Sequence, residues 1–239
     1  GDTPIAGATG DHYQLTSADV GAAISVQARY TDGGGTVETV RSSATAAIAA
    51  INSVNGSAGV DHLNGSGARD SLAGLAGDDV LFGGAGSDTL DGGSGTDIAS
   101  YLGSNIPVSL DLKSGSASQG SDSDTLIGIE AAFGSSGNDS LFGHEAADNL
   151  RDDTFRGGAG NDLIDGRSGN DTAEYSGKRT GYSLSRNLTS GVITVTDTDP
   201  SDGNDGTDQL SSIERIVFAD QLVAFGTRAE EIARVAGVL

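Results

Sequence analysis

The chain has 239 residues, among them 38 Gly and no Cys, Met or Trp, and its formal net charge at pH 7 is −21. The negative charge argues against a nucleic-acid-binding protein, which needs a basic surface, and the absence of cysteine excludes disulfides and thiolate metal sites. The sequence contains no apolar run of about 18 residues, so it offers no transmembrane helix, and its charge and few aromatic residues suggest a disordered chain unless something offsets the charge.

Residues 1–50 differ in character from the rest of the chain. Apolar and polar residues alternate over Ala23–Tyr30, a Gly-rich turn follows at Thr31–Gly35, and a second strand-like stretch covers Thr36–Arg41. This pattern predicts two strands joined by a turn. The stretch also resembles the second half of the tandem Ig-like repeats of large bacterial adhesins and exoproteins. The resemblance implies a partial Ig-like β segment.

Nine-residue units dominate the middle of the chain. Five consecutive units run from Gly56 to Ser100, and four more run from Gly134 to Glu174 with five extra residues, DDTFR, before the third of them. The shared template is G-G-x-G-x-D-x-U-x, where U is an aliphatic residue, and a fixed period of this kind indicates stacked repeats. Position six is aspartate in all nine units: Asp61, Asp70, Asp79, Asp88, Asp97, Asp139, Asp148, Asp162 and Asp171. Position eight is Leu63, Leu72, Leu81, Leu90, Ala99, Leu141, Leu150, Ile164 and Ala173.

Aspartate and glycine at these positions suit calcium. Ca²⁺ binds six to eight oxygens from carboxylates, backbone carbonyls and water in flexible geometry. Glycine adopts positive φ without steric penalty, so it lets successive carbonyls turn toward one point. One buried aliphatic side chain per nine residues returns less free energy than ordering the unit costs. We therefore expect the calcium-free repeats to be unfolded or molten, with calcium binding supplying the free energy of folding.

The units resemble the repeats-in-toxin (RTX) nonapeptides, which form the calcium-binding parallel β-roll of type I-secreted bacterial proteins. The resemblance covers residues 56–100 and 134–174 and implies a right-handed roll with two units per turn, so that calcium lies between units n and n+2. The implied sites number about five and pair Asp61 with Asp79, Asp79 with Asp97, Asp70 with Asp88, Asp139 with Asp162, and Asp148 with Asp171. The glycines assigned to these sites are Gly74, Gly77, Gly83, Gly84, Gly86, Gly92, Gly93, Gly95, Gly157, Gly158, Gly160, Gly166 and Gly169.

The second run departs from the template, which puts its register in doubt. The unit GHEAADNLR lacks most of the template glycines, and DDTFR interrupts the nine-residue spacing. The pairing of Asp148 with Asp171 depends on where the extra residues are placed. Three further acids, Asp78, Asp152 and Asp153, either join the metal sites or lie on the surface.

A longer repetition follows each run. Tyr101 matches Tyr175, and Ile129-Glu130 in DTLIGIE matches Ile213-Glu214 in DQLSSIE. Alternating stretches at Val108–Leu112 and Val192–Thr196 predict half-buried strands, so each block is expected to be followed by a β-rich cap. The acidic loop 197–208 is either a further calcium site or a solvated turn, and residues 227–239 have the pattern of an amphipathic helix.

These patterns predict an all-β chain with two parallel β-roll (β-solenoid) blocks. The expected order is a partial Ig-like β segment at 1–50, a first RTX β-roll block at 51–100, a β-rich cap or connector at 101–133, a second block at 134–174, a C-terminal β cap at 175–226 and a short helix at 227–239.

The sequence contains no catalytic constellation. The stretch from His144 to Asp148 resembles a zinc-protease motif, but the repeat aspartate stands where the second histidine is required. We expect a non-enzymatic calcium-binding module of a secreted or cell-surface bacterial protein. It would fold on binding calcium after passing through the type I secretion machinery. It would then act as a scaffold or adhesion-supporting region of a parent protein that binds an extracellular glycan or surface ligand. The alternative is the C-terminal secretion and folding module of an RTX exoenzyme (protease, lipase, epimerase or peroxidase) with its catalytic domain upstream.

Overall fold

A computed structural model of the chain describes residue 5 and residues 21–31, 33–47, 51–145, 151–201 and 203–225. It divides into two compact units, residues 1–51 and 52–239. Regular structure in the described residues is β-strand apart from one 3-10 turn at Arg179–Gly181, which confirms the all-β class. The predicted helix at 227–239 lies outside the described residues, as do Asp148 and Leu150. None of the helical structure in the described ranges is long and apolar enough to cross a membrane.

The described residues of the N-terminal unit include a β-hairpin. Strands β1 (Gln27–Thr31) and β2 (Val37–Arg41) pair antiparallel, with Gln27 opposite Arg41 and Thr31 opposite Val37. Every residue of both strands is exposed. The hairpin agrees with the two strands expected from the sequence, and the Ig-like assignment of the segment stays a prediction.

The second unit is a stack of short strands in two sheets. The strands of the eleven-stranded sheet are β3 (Asn52–Asn55), β5 (Asp70–Ala73), β7 (Thr89–Asp91), β9 (Val108–Asp111), β10 (Ser116–Gln119), β11 (Asp122–Ile127), β13 (Ser140–Phe142), β15 (Leu163–Asp165), β17 (Tyr182–Arg186), β18 (Ile193–Asp197) and β19 (Thr207–Ser211). The strands of the eight-stranded sheet are β4 (His62–Asn64), β6 (Val80–Phe82), β8 (Ile98–Ser100), β12 (Ala131–Phe133), β14 (Thr154–Arg156), β16 (Thr172–Glu174), β20 (Arg215–Val217) and β21 (Leu222–Ala224).

The strands of successive repeats belong alternately to the two sheets. Each strand therefore pairs in parallel with the strand two units later. Leu72 therefore lies opposite Leu90 in one sheet, and Leu63 lies opposite Leu81 in the other. The position-eight side chains stack on one another and form the buried core. The nine-residue period thus determines both the register and the core, because two units bring the chain back to the same sheet.

The two repeat blocks form one continuous stack. Strand β9 pairs with β10 on one side and in parallel with β13 on the other, with Leu110 opposite Leu141. In the eight-stranded sheet, β12 pairs in parallel with both β8 and β14. Residues 101–133 therefore act as a connector that continues both sheets into the second block rather than as a cap that ends the first.

We expect the junction between the blocks to contribute strongly to stability. Leu110 is fully buried where the connector meets the second block, so Leu110→Ala should lower the free energy of unfolding by about 2–5 kcal/mol through lost burial and a residual cavity. Leu188→Ala is the matched control because that side chain is 83% exposed, and its effect should stay within about 0.5 kcal/mol. Denaturant unfolding at saturating calcium measures both, and equal losses would contradict a shared core at this junction.

Candidate calcium sites

Each position-six aspartate that the structure describes lies directly before a strand, except Asp70, which is the first residue of β5. Seven of them are at most 2% exposed, an unusual degree of burial for carboxylates: Asp70, Asp79, Asp88, Asp97, Asp139, Asp162 and Asp171. Asp61, in the first unit, is partly buried. Carboxylates that are buried this deeply require hydrogen bonds or a cation as compensation.

A hydrogen-bond ladder connects these aspartates along the stack. The backbone N–H of each donates to a carboxylate oxygen of the acid at the next parallel strand of the same sheet, at 2.8–3.1 Å. We call the resulting sets rows. The first row is Asp61, Asp79, Asp97 and Glu130; the second is Asp70, Asp88 and Asp124; the third is Asp139, Asp162 and Asp208; the fourth is Asp153, Asp171 and Glu214.

The rows bring together four of the five expected aspartate pairs and correct the fifth. Asp148 lies outside the described residues, and Asp153 is the acid whose N–H donates to Asp171. Asp153 also accepts a hydrogen bond from the N–H of His144 at 2.7 Å. Two residues later, Phe155 is fully buried and occupies the core position expected for Leu150. The extra residues of this unit thus precede Asp153, and DDTFR is part of the repeat itself.

The last members of the rows are acids that the repeat template does not contain. Asp124 and Glu130 come from the connector, and Asp208 and Glu214 come from the segment after the second block. The recurrence of DTLIGIE as DQLSSIE was the available sequence signal. In both copies, the aspartate precedes a buried leucine by two residues, just as position six precedes position eight.

The extra acids Asp78 and Asp152 have a structural role at position five. Oδ1 of Asp78 accepts a hydrogen bond from the N–H of Thr96 at 2.8 Å, and Oδ1 of Asp152 accepts one from the N–H of Asn170 at 2.9 Å. These bonds link neighbouring turns beside the rows. Of the three extra acids, only Asp153 belongs to a row.

The second carboxylate oxygen, Oδ2, separates the aspartates into two groups. Within the described part of the chain, five of these oxygens are buried and have no hydrogen-bond partner: those of Asp79, Asp88, Asp97, Asp162 and Asp171. A buried anionic oxygen without a partner is costly. Its occurrence in five equivalent turns indicates that a bound cation completes the structure.

The assigned glycines lie where other atoms crowd the backbone or where φ is positive. A Cβ at Gly74 would lie 2.5 Å from the carbonyl oxygen of Gly92 and closer still to Oδ2 of Asp79. Only glycine fits where a carbonyl and a carboxylate approach the backbone this closely. The same close approach to the position-six carboxylate occurs at Gly83, Gly92, Gly157 and Gly166. The other assigned glycines have positive φ: Gly77, Gly84, Gly86, Gly93, Gly95, Gly158, Gly160 and Gly169.

The electrostatics of the buried turns favour a positive partner. Burial, together with the charge of neighbouring carboxylates, raises the pKa of Asp88 to about 6 and that of Asp171 to about 7. Burial likewise raises the pKa of Asp162 to about 8. In contrast, backbone hydrogen bonds from Ser57 and Ser66 lower the pKa values of Asp61 and Asp70. Asp88, Asp162 and Asp171 are therefore difficult to ionise unless a cation offsets their charge.

The donor set fits calcium. No group of three or more His, Cys, Asp or Glu side chains in the described ranges is arranged to hold a metal, so an ion in the turns would be bound by one or two carboxylates together with backbone carbonyls. An all-oxygen set of this kind suits Ca²⁺ rather than Zn²⁺. His144 donates or accepts at Asp153, with Nδ1 2.8 Å from Oδ1, and does not form part of a zinc motif.

The acidic loop 197–208 is held by its own hydrogen bonds. The two carboxylate oxygens of Asp197 accept bonds from the N–H groups of Asp199 and Asp205, at 2.8 and 3.0 Å. The hydroxyl of Tyr182 donates to Asp205. These contacts agree with the solvated-turn alternative, and a calcium site in the loop stays a prediction.

The chain matches a known family of repeats. A profile of the RTX calcium-binding nonapeptide repeat matches the chain in four copies, at residues 49–75, 64–99, 120–151 and 149–173. These copies cover both repeat blocks and part of the connector. No curated protein gives a significant match to the chain.

The corrected register of the second block can be tested by two alanine substitutions. Asp153→Ala should lower the free energy of unfolding by about 1–3 kcal/mol, because the buried N–H of His144 loses its acceptor. Asp148→Ala should change it by less than about 0.5 kcal/mol, because the row position is already filled by Asp153. Denaturant unfolding with calcium present compares the two, and a larger loss for Asp148→Ala would restore the uncorrected register.

The calcium-free chain should lose β-structure as the pH rises. The folded-state pKa values of Asp88, Asp171 and Asp162, about 6 to 8, exceed the value near 4 of an unfolded aspartate. Their contribution to stability is complete below about pH 4 and is lost as the pH rises through the folded-state values. Circular dichroism in chelator should show more β-structure at about pH 5, above the isoelectric point of 4.1, than at about pH 8. The opposite order would contradict this assignment.

Proposed function

We propose that the chain is a calcium-folded module of a secreted or cell-surface bacterial protein, because both of its repeat blocks match the profile of the RTX calcium-binding nonapeptide repeat. The observation that carries the proposal is the set of five buried, unpartnered Oδ2 atoms in equivalent turns. Five such oxygens support a complement of about five ions. We propose no catalytic role for the module.

In this proposal the turns supply the ligands and the strands supply the scaffold. Asp79, Asp88 and Asp97 would hold ions in the first block, and Asp162 and Asp171 would hold ions in the second, each together with carbonyl oxygens of neighbouring turns. Bound calcium would supply the positive charge that lets these carboxylates ionise while buried. The aspartates keep adjacent turns in register through their N–H···Oδ1 bonds, and the stacked leucines then become buried.

The expected calcium affinity and the net charge of the chain support a function outside the cell. Calcium sites of extracellular modules bind with dissociation constants of about 10⁻⁴–10⁻³ M, so sites of this class remain empty at cytosolic calcium levels and fill outside. A chain of this charge would stay unfolded before export and fold afterwards. This behaviour fits passage through type I secretion machinery and leaves the module to stiffen an adhesive parent protein whose other parts contact a glycan or surface ligand.

Calcium titration tests the proposed function directly. Far-ultraviolet circular dichroism at neutral pH should show a coil spectrum in chelator and a β spectrum at millimolar calcium, because ion binding supplies the missing folding free energy. Magnesium at the same concentration is the control and should have little effect, since Mg²⁺ requires a compact octahedral site and gives up water reluctantly. A spectrum that does not change between excess chelator and calcium would exclude calcium-dependent folding.

A further inference from the structure

The four position-six aspartates outside the unpartnered group share one arrangement. Asp61, Asp70, Asp139 and Asp153 are the first members of the four rows, and Oδ2 of each accepts a hydrogen bond from the N–H at position two of its own unit. The donors are Ser57, Ser66, Ser135 and His144, at 2.6–2.7 Å. These short bonds to a carboxylate are of the strong, charge-assisted kind. The first carboxylate of every row is therefore satisfied by its own turn.

The backbone at position two separates these turns from the other five. In the units with an unpartnered oxygen, position two has positive φ, and its residues are Leu75, Gly84, Gly93, Gly158 and Arg167. The four donor residues do not have positive φ. The side chains of the donor residues form further hydrogen bonds to the same carboxylates. These bonds come from the hydroxyls of Ser57 and Ser66 and involve ring nitrogen Nδ1 of His144.

The opposite ends of two rows are closed by tyrosine. The hydroxyl of Tyr101 donates to Oδ2 of Asp124 at 2.7 Å, and the hydroxyl of Tyr175 donates to Oδ2 of Asp208 at 2.8 Å. Both tyrosines are buried directly behind the last unit of their block. The end of the first row is closed in another way, because Oε1 of Glu130 accepts a hydrogen bond from Arg151 at 2.7 Å.

We propose that these residues are terminators of the ion rows: Ser57, Ser66, Ser135 and His144 at the starts, and Tyr101 and Tyr175 at the ends, bind the carboxylate oxygen that calcium binds in the turns between them. The proposal rests on the proposed function. It assigns calcium only to the five aspartates with an unpartnered Oδ2, which we call interior because each lies between two other acids of its row. An ion in a stack needs oxygens from the turns on both sides of it. At the first acid of each row, an N–H donor of the same turn takes the place of the ion.

The main test compares two aspartates of the first row by the same substitution. Asp79→Asn removes an interior carboxylate, and Asp61→Asn removes a terminated one. Isothermal titration with calcium should show one ion fewer than wild type for Asp79→Asn and an unchanged number for Asp61→Asn. If both aspartates share an ion, both variants lose one, and that result overturns the proposal. It is also overturned if Asp79→Asn binds the wild-type number.

The third row supplies a second pair in case Asp79→Asn does not fold, as circular dichroism at saturating calcium would show. Asp162→Asn should bind one ion fewer than wild type, and Asp139→Asn should bind the same number. The proposal is overturned if both variants lose an ion or if Asp162→Asn binds the wild-type number. If wild type binds no calcium, the proposed function itself fails. If wild type binds calcium but the paired variants behave alike, only the assignment of terminators fails.

The tyrosine ends are tested by Tyr101→Phe. Loss of the hydroxyl leaves Oδ2 of Asp124 in the condition of the interior aspartates, so the number of bound ions should rise by one while the β spectrum at saturating calcium is retained. Tyr30→Phe is the control, because its hydroxyl bonds to Glu38 within the hairpin of the other unit. An unchanged ion number in a folded Tyr101→Phe variant would exclude the tyrosine from the set of terminators.

Discussion

Burial of one carboxylate in each turn is the constraint on which the stacked fold depends. Within a row, an oxygen of each later carboxylate accepts the N–H of the acid before it, and this bond holds the turns in register. Register of the turns places the short strands opposite one another, and the strands then stack the position-eight side chains into one core. The same burial leaves Oδ2 to be satisfied by whatever the local backbone allows. Cation binding, strand pairing and core packing are therefore parts of one arrangement rather than separate contributions.

The connector extends this arrangement from one block to the next. It continues both sheets through β9 and β12 and supplies Asp124 and Glu130 as the last acids of two rows. Arg167 adds a further link, since its guanidinium donates to both carboxylate oxygens of Asp111 at 2.7 and 2.9 Å. Ions bound in the first block would consequently stabilise strands that the second block also uses.

The nine-residue phase of the sequence was sufficient to predict the sheets, the core and most of the rows, because every one of these features repeats with that phase. It failed where the phase is broken. Counting nine residues from Gly143 selected Asp148 and Leu150, although an inserted segment moves the role to Asp153 and Phe155. The nine-residue phase did not predict the row-ending acids, because Asp124 and Asp208 lie 36 and 46 residues from their partners. The state of each Oδ2 follows φ at position two, which residue type indicates only in part, because Leu75 and Arg167 have positive φ although they are not glycine.

The position of the residues that close the rows has a consequence for the length of such blocks. Closure uses a fixed number of turns at each end, whereas every unit inserted between the ends adds one carboxylate of the unpartnered kind. The five-unit block has three such carboxylates and the four-unit block has two. Cation capacity therefore grows by one ion per nine residues while the cost of closing the ends stays constant. Long arrays of these units use their sequence more efficiently than short ones, and duplication of whole turns lengthens the stack without any new design at its ends.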